Sequence, residues 1–319
     1  MRLARALLAT FALSCLAVAA PARAADAPEK NPPEKSPAEK NAADKNPVEL
    51  KVLDAGEGPR QQLRYKYRKG AVEDLAMDMD MAMSMSLGGQ VVSSADLPTI
   101  RMTMRLETLD VKENGDATLG IRFTGGDVTA KPQTQAGVAD AMRAELKKIT
   151  GVRGTTTMSA RGEARDAQFD LPAGADPQLK EQLKSAERQM GQMLAALPDQ
   201  PVGKGARWQV TMPIDVNNVR ASQTLTYSLK EQAGDVISVD VRITQTAARQ
   251  EVQVPNAPQK LTLESLDSTG SGSARMDLAR LVPADYAATI DMNMAMSQEQ
   301  VRMSMNMKIG VTMRPEQPK

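Results

Sequence analysis

Thioethers are the most conspicuous side chains of this chain with any capacity for chemistry. In "DLAMDMDMAMSMSLGG", residues 74–89, methionine recurs at every second position from Met77 to Met85. Soft sulfur donors suit Cu(I), so such a run raises metal binding first. On one extended strand, however, residues two apart are separated by about 6.8 Å, and a neighbouring strand lies at about 4.8 Å. The sulfurs of Met77, Met79 and Met81 would therefore need cross-strand help to meet on one ion, as would Met292, Met294 and Met296 near the C-terminus. The same run holds Asp78 and Asp80, a pair that resembles the two carboxylates of acid–base catalysis. Their parity is opposite to that of the apolar stripe, which turns them toward water.

Composition closes most other chemistries. The 319 residues include no histidine and a single cysteine, Cys15. Residues 1–24, MRLARALLATFALSCLAVAAPARA, read as a secretory signal with a basic start, an apolar centre and an A-x-A cleavage site at Ala22-Arg23-Ala24. A chain cleaved there is exported to the periplasm or the extracellular space and keeps neither thiol nor imidazole. That removes Cys- and His-based nucleophiles, the usual zinc sites and disulfides. The alternative is a lipoprotein acylated at Cys15. No serine sits in a G-x-S-x-G elbow. The stretches "GKGARW" and "STGSGSAR" lack the lysine–serine ending of a phosphate loop and read as glycines at turns and close strand approaches. The expectation is a protein that is not an enzyme and uses no cofactor. Of 40 Lys and Arg residues, Arg2, Arg5 and Arg23 leave with the signal, so 37 face 39 Asp and Glu, a formal charge of −2. Nothing in that balance draws the chain to nucleic acid.

These residues are positioned by strands. Residues 25–49 repeat a five-residue unit with Lys30, Lys35, Lys40 and Lys45 among Pro, Asn, Ala and acids, a composition with little to bury that reads as a disordered spacer. Residues 50–319 form the folded domain, and its dominant period is two. Leu75, Met77, Met79, Met81, Met83, Met85 and Leu87 share one parity. So do Ile100, Met102, Met104 and Leu106; Ile290, Met292, Met294 and Met296; and Val301, Met303, Met305, Met307, Ile309, Val311 and Met313. The first run alone would extend roughly 43 Å. The predicted class is mainly β, a β-rich α+β fold: a large curved antiparallel sheet or open barrel. Asn114-Gly115 marks one hairpin, and Gln298-Glu299-Gln300 joins the last two strands.

Two segments change period. Val138, Met142, Leu146 and Ile149 make a helical stripe ended by Gly151. Asp176 and Pro177 open a second stripe of Leu179, Leu183, Ala186, Met190, Met193, Leu194 and Leu197, stopped by Pro198. Both amphipathic helices are expected to pack on the apolar face of the sheet. An echo between "LETLDVKENGDATLGIRFT" and "LTYSLKEQAGDVISVDVRIT" suggests two similar halves, about 50–200 and 201–319. Neither helix reaches the ~20 apolar residues of a membrane span, and aromatic residues, 3% of the chain, are too few for the girdles of an outer-membrane barrel.

"LRYKYRKG" at 63–70, "GVRGTTTMSARGEA" after the first helix, "LPDQPVGKGARW" at 197–208 and "STGSGSARMDLARLVP" at 268–283 resemble a family of exported bacterial proteins of unknown function. These motifs are turn glycines, prolines and one tryptophan, and they mark a fold more than a site. At the level of fold the pattern is also similar to the lipoprotein-carrier group of the bacterial envelope, whose open barrels hold acyl chains; no functional residue carries over from it.

Methionine fills irregular space and repacks cheaply. The stripes therefore predict a deformable apolar cavity for a lipid-like ligand, lined by Met77, Met79, Met81, Met83, Met85, Met102, Met104, Met292, Met294, Met296, Met303, Met305 and Met307. The expected molecule is a monomeric, non-catalytic binding or carrier protein. Two alternatives stand beside it: a structural or interaction protein of the cell envelope with a solid Met-rich core, and thioether-based Cu(I) binding.

Overall fold

The computed structural model describes residues 48–132, 134, 136–170, 180, 183, 196–216, 219–252, 261–298 and 301–316. The signal and nearly all of the spacer lie outside these residues. In chain order the elements are β1 (Glu49–Asp54), β2 (Glu57–Gln61), β3 (Val72–Leu87), β4 (Gln90–Asp96), β5 (Thr99–Val111) and β6 (Ala117–Thr129). The helix α1 (Val138–Ile149), β7 (Arg153–Met158), β8 (Ala164–Asp170), β9 (Val202–Lys204) and β10 (Arg207–Val216) follow. The chain ends with β11 (Val219–Ala233), β12 (Val236–Ala247), β13 (Gln250–Val252), β14 (Leu261–Asp277), β15 (Asp285–Gln298) and β16 (Val301–Pro315).

Fourteen of these strands make one sheet, in the order β1-β10-β11-β12-β14-β15-β16-β3-β5-β6-β7-β8, with β13 beside β14 and β4 beside β3; β2 and β9 form a separate pair. Every pairing is antiparallel. The end strands β1 and β8 do not meet, so the sheet is not closed into a barrel. Strands from both expected segments, 50–200 and 201–319, belong to it; they join where β16 pairs with β3, from Met303–Leu87 to Pro315–Leu75, and where β1 pairs with β10.

Among the described residues there is one helix instead of the expected two. In α1 the inward residues are Ala139, Met142, Leu146 and Ile149, and Gly137 and Gly151, both at positive φ, flank it as entry and exit. The second expected helix falls almost wholly outside the described residues; of its stripe, Leu183 and Leu197 are described and buried. No described helix is long and apolar enough to cross a membrane.

Alternation decides which face is buried, since successive strand residues point to opposite sides. In β14 a bulge accounts for a departure from it. The β14–β15 register shifts between Leu263 and Ser265, so Leu263 and Leu266, three apart, are both buried. Gly270 of β14 permits a tight approach: an added Cβ would lie 2.7 Å from the carbonyl oxygen of Thr289. Around β10, β11 and β12 the core is aromatic and β-branched. Trp208 stacks on Tyr227 at 5.3 Å between ring centroids, and its Nε1–H donates to the carbonyl of Ala196 at 2.9 Å. Around β3, β15 and β16 the core is methionine.

Candidate functional site

Register turns the four methionine stripes into rows that run across the strands. Met83 pairs with Met307, which pairs with Met292. One step along, Met85, Met305 and Met294 form a second row, and Met303 with Met296 a third beside Leu87. At the other end Met313, Met77 and Met102 line up. All the methionines proposed from sequence point to one side, and every one except the half-buried Met303 is buried, at 1–8% exposure. Most of them share a single apolar cluster with α1, while Met104 belongs to an adjoining one with Leu75, Leu119 and Met158. At such low exposure the face is closed over by side chains.

The rows also redistribute the sulfur donors. Of Met77, Met79 and Met81, only Met77 has methionine neighbours across both strand pairs; Met79 lies between Val311 and Ile100, and Met81 opposite Ile309. Besides Met313–Met77–Met102, thioethers from three adjacent strands come together at Met83–Met307–Met292 and Met85–Met305–Met294. Among the described residues no group of three or more Asp, Glu, Cys or His is gathered where it could hold a metal ion.

The row that contains Met83 changes character beyond Met292. Met292 pairs with Ser268, Ser268 with Gln245, Gln245 with Gln223 and Gln223 with Met212. Three polar side chains thus interrupt an apolar face. Gln245 Nε2–H donates to Gln223 Oε1 at 2.7 Å, and Gln223 Nε2–H reaches Met212 Sδ at 3.9 Å. Gln245 is 8% exposed and Ser268 3%, yet Gln245 Oε1 and Ser268 Oγ have no hydrogen-bond partner. The rows to either side are apolar: Ile243, Gly270, Ile290, Ile309 and Met81 on one, Ala247, Leu266, Met294, Met305 and Met85 on the other. No sequence motif marks these residues. The available signal was parity, because Gln245 continues the inward series Ile237, Val239, Val241 and Ile243.

The opposite face is polar and ionically paired. Asp78 faces Arg101 across β3–β5, receives two guanidinium hydrogen bonds at 2.7 and 2.9 Å, and accepts a third from Arg314 at 3.3 Å. Asp80 accepts from Thr99 at 2.6 Å and pairs with Lys131 at 2.9 Å. The Thr99 hydroxyl and then the Lys131 ammonium hold its carboxyl below the usual range. A shallow groove of about 200 Å³ passes beside both carboxylates, lined also by Ser271, Thr289, Gly310 and Thr312. Asp78 is thus held by Arg101 and Arg314 and Asp80 by Lys131 on the polar face of the sheet, an arrangement of paired surface charges that does not resemble a desolvated acid–base pair.

The aromatic and polar-row strands carry the resemblance to known proteins. Residues 170–280 match a family of unknown function (DUF6263). No curated protein matches the chain. The DUF6263 span contains β9 to β14, and with them Trp208, Gln223, Gln245 and Ser268, whereas β3, β15 and β16 lie outside it.

Proposed function

We propose that this is an exported, non-catalytic protein that binds the alkyl chain of a lipid-like molecule on its methionine face. The observation that carries the reading is the alignment of the stripes into adjacent rows of flexible thioethers on one face of an unclosed sheet. Each methylene buried there contributes roughly 0.8 kcal/mol, so ten supply about 8 kcal/mol. That corresponds to a Kd of about 1 µM before the costs of ordering are subtracted. Because the face is closed over, the ligand must displace side chains. From outside the strands that cluster is joined by Ala139, Met142, Leu146 and Ile149 of α1 and by Leu97, Val152 and Leu183. Methionine neighbours reshape to a new occupant at low cost.

The test is native mass spectrometry of protein purified from its own host, followed by titration with a fluorescent fatty acid. Co-purified lipid and saturable fluorescence gain are expected. Protein that arrives empty and gives no gain would leave the methionine face as a solid core, and the molecule as a structural or interaction component of the envelope.

A further inference from the structure

Buried polar atoms are nearly always hydrogen-bonded, and an orphan inside an apolar face points to something the fold itself does not supply. Gln245 Oε1 and Ser268 Oγ are two such atoms at directly paired positions of β12 and β14. Chemistry orients the amides. A thioether sulfur only accepts, so Gln223 presents Nε2–H to Met212 and turns Oε1 toward Gln245. Gln245 answers with its own Nε2–H, which leaves its Oε1 an acceptor with no donor, next in the row to the Ser268 hydroxyl.

We propose that Gln245 and Ser268 form the polar-head subsite of the apolar ligand, and that this ligand is a neutral amphiphile ending in a hydroxyl. The assignment rests on the reading of the methionine face as a ligand surface. A hydroxyl donates its proton to Gln245 Oε1 and accepts one from Ser268 Oγ, satisfying both atoms at once. A carboxylate can only accept and leaves the amide oxygen unmatched. No Lys or Arg stands in the row from Met212 to Met83 to balance a buried anion, which would carry its full desolvation penalty. From Ser268 across Met292 and Met307 to Met83 is three strand spacings, about 14 Å, roughly the reach of an extended dodecyl chain.

The experiment measures displacement of Nile red from the full chain by 1-dodecanol, dodecanoate and dodecane, in the wild type, Ser268→Ala and Gln245→Leu. The wild type is expected to bind dodecanol about tenfold more tightly than dodecanoate. Each variant is expected to lose about tenfold for dodecanol while dodecane binding is unchanged. Ser268→Ala without ligand should also melt at a higher temperature, since it removes an unpartnered buried hydroxyl. Unchanged dodecanol affinity in both variants, or a lower melting temperature of Ser268→Ala, would overturn the subsite and leave the apolar reading standing. If none of the three compounds, dodecane included, displaces Nile red, the apolar reading fails and the subsite with it.

Discussion

The aromatic core around β10, β11 and β12 and the methionine core around β3, β15 and β16 lie on the same sheet and are buried to the same degree, yet they are filled with different materials. In the first, Trp208 stacks on Tyr227 and Tyr65 on Tyr67, among Val210, Val239, Val241 and Ile243. Rings have two side-chain torsions and β-branched residues a restricted χ1, so this packing specifies one shape. In the second, unbranched thioethers face one another across three strands, each with three rotatable bonds. Equal burial therefore conceals unequal stiffness. One region is suited to hold the fold and the other to change shape around a guest.

The contrast is broken most directly by Trp208→Ala. Trp208 is fully buried, and its removal leaves a large cavity and strips the Ala196 carbonyl of its donor. A loss of about 3–5 kcal/mol is expected from the change in urea midpoint. A loss below about 1 kcal/mol would show that the aromatic core does not anchor the sheet.

Much of this division is legible in the sequence, for a local reason. The parity of Met77 to Met85 and of Met303 to Met313 specifies strands with one buried face, and the steps from Val138 to Ile149 specify α1, because both periods are properties of short segments. Which rows meet is a matter of long-range register. Nothing near Met83 announces that it lies opposite Met307, more than two hundred residues away, and nothing near Gln245 announces Ser268 beside it. The bulge after Leu263 was equally hidden, since it only becomes necessary once β15 is the partner.

A second, smaller effect sharpens the comparison through pH. All four tyrosines, Tyr65, Tyr67, Tyr227 and Tyr286, belong to or border the aromatic core. Burial raises each phenol above its ordinary value of 10.0, reinforced at Tyr67 by the neighbouring Tyr65 and at Tyr227 by Tyr286. The unfolded chain thus releases these protons first. Their contribution to stability is complete below about pH 10 and declines as pH rises beyond it. Urea midpoints measured from pH 8 to 11 should fall at the alkaline end. Tyr227→Phe, which removes one such proton, should fall less steeply; an identical slope would assign the loss to other groups.

The smallest effect is the one that separates a shape-changing face from an ordinary core. Met294→Leu exchanges side chains of similar volume at the centre of a methionine row, between Met305 and Leu266. Its cost should stay below about 1.5 kcal/mol, because the neighbouring thioethers can shift to accept a branched side chain. The comparable exchange in the aromatic core, Leu229→Met, meets neighbours with fewer rotamers and should cost more at the same burial. If Met294→Leu proves the more damaging of the two, the methionines are packed in a single interlocking arrangement. The face could not then reshape around an alkyl chain, whatever its apolar area.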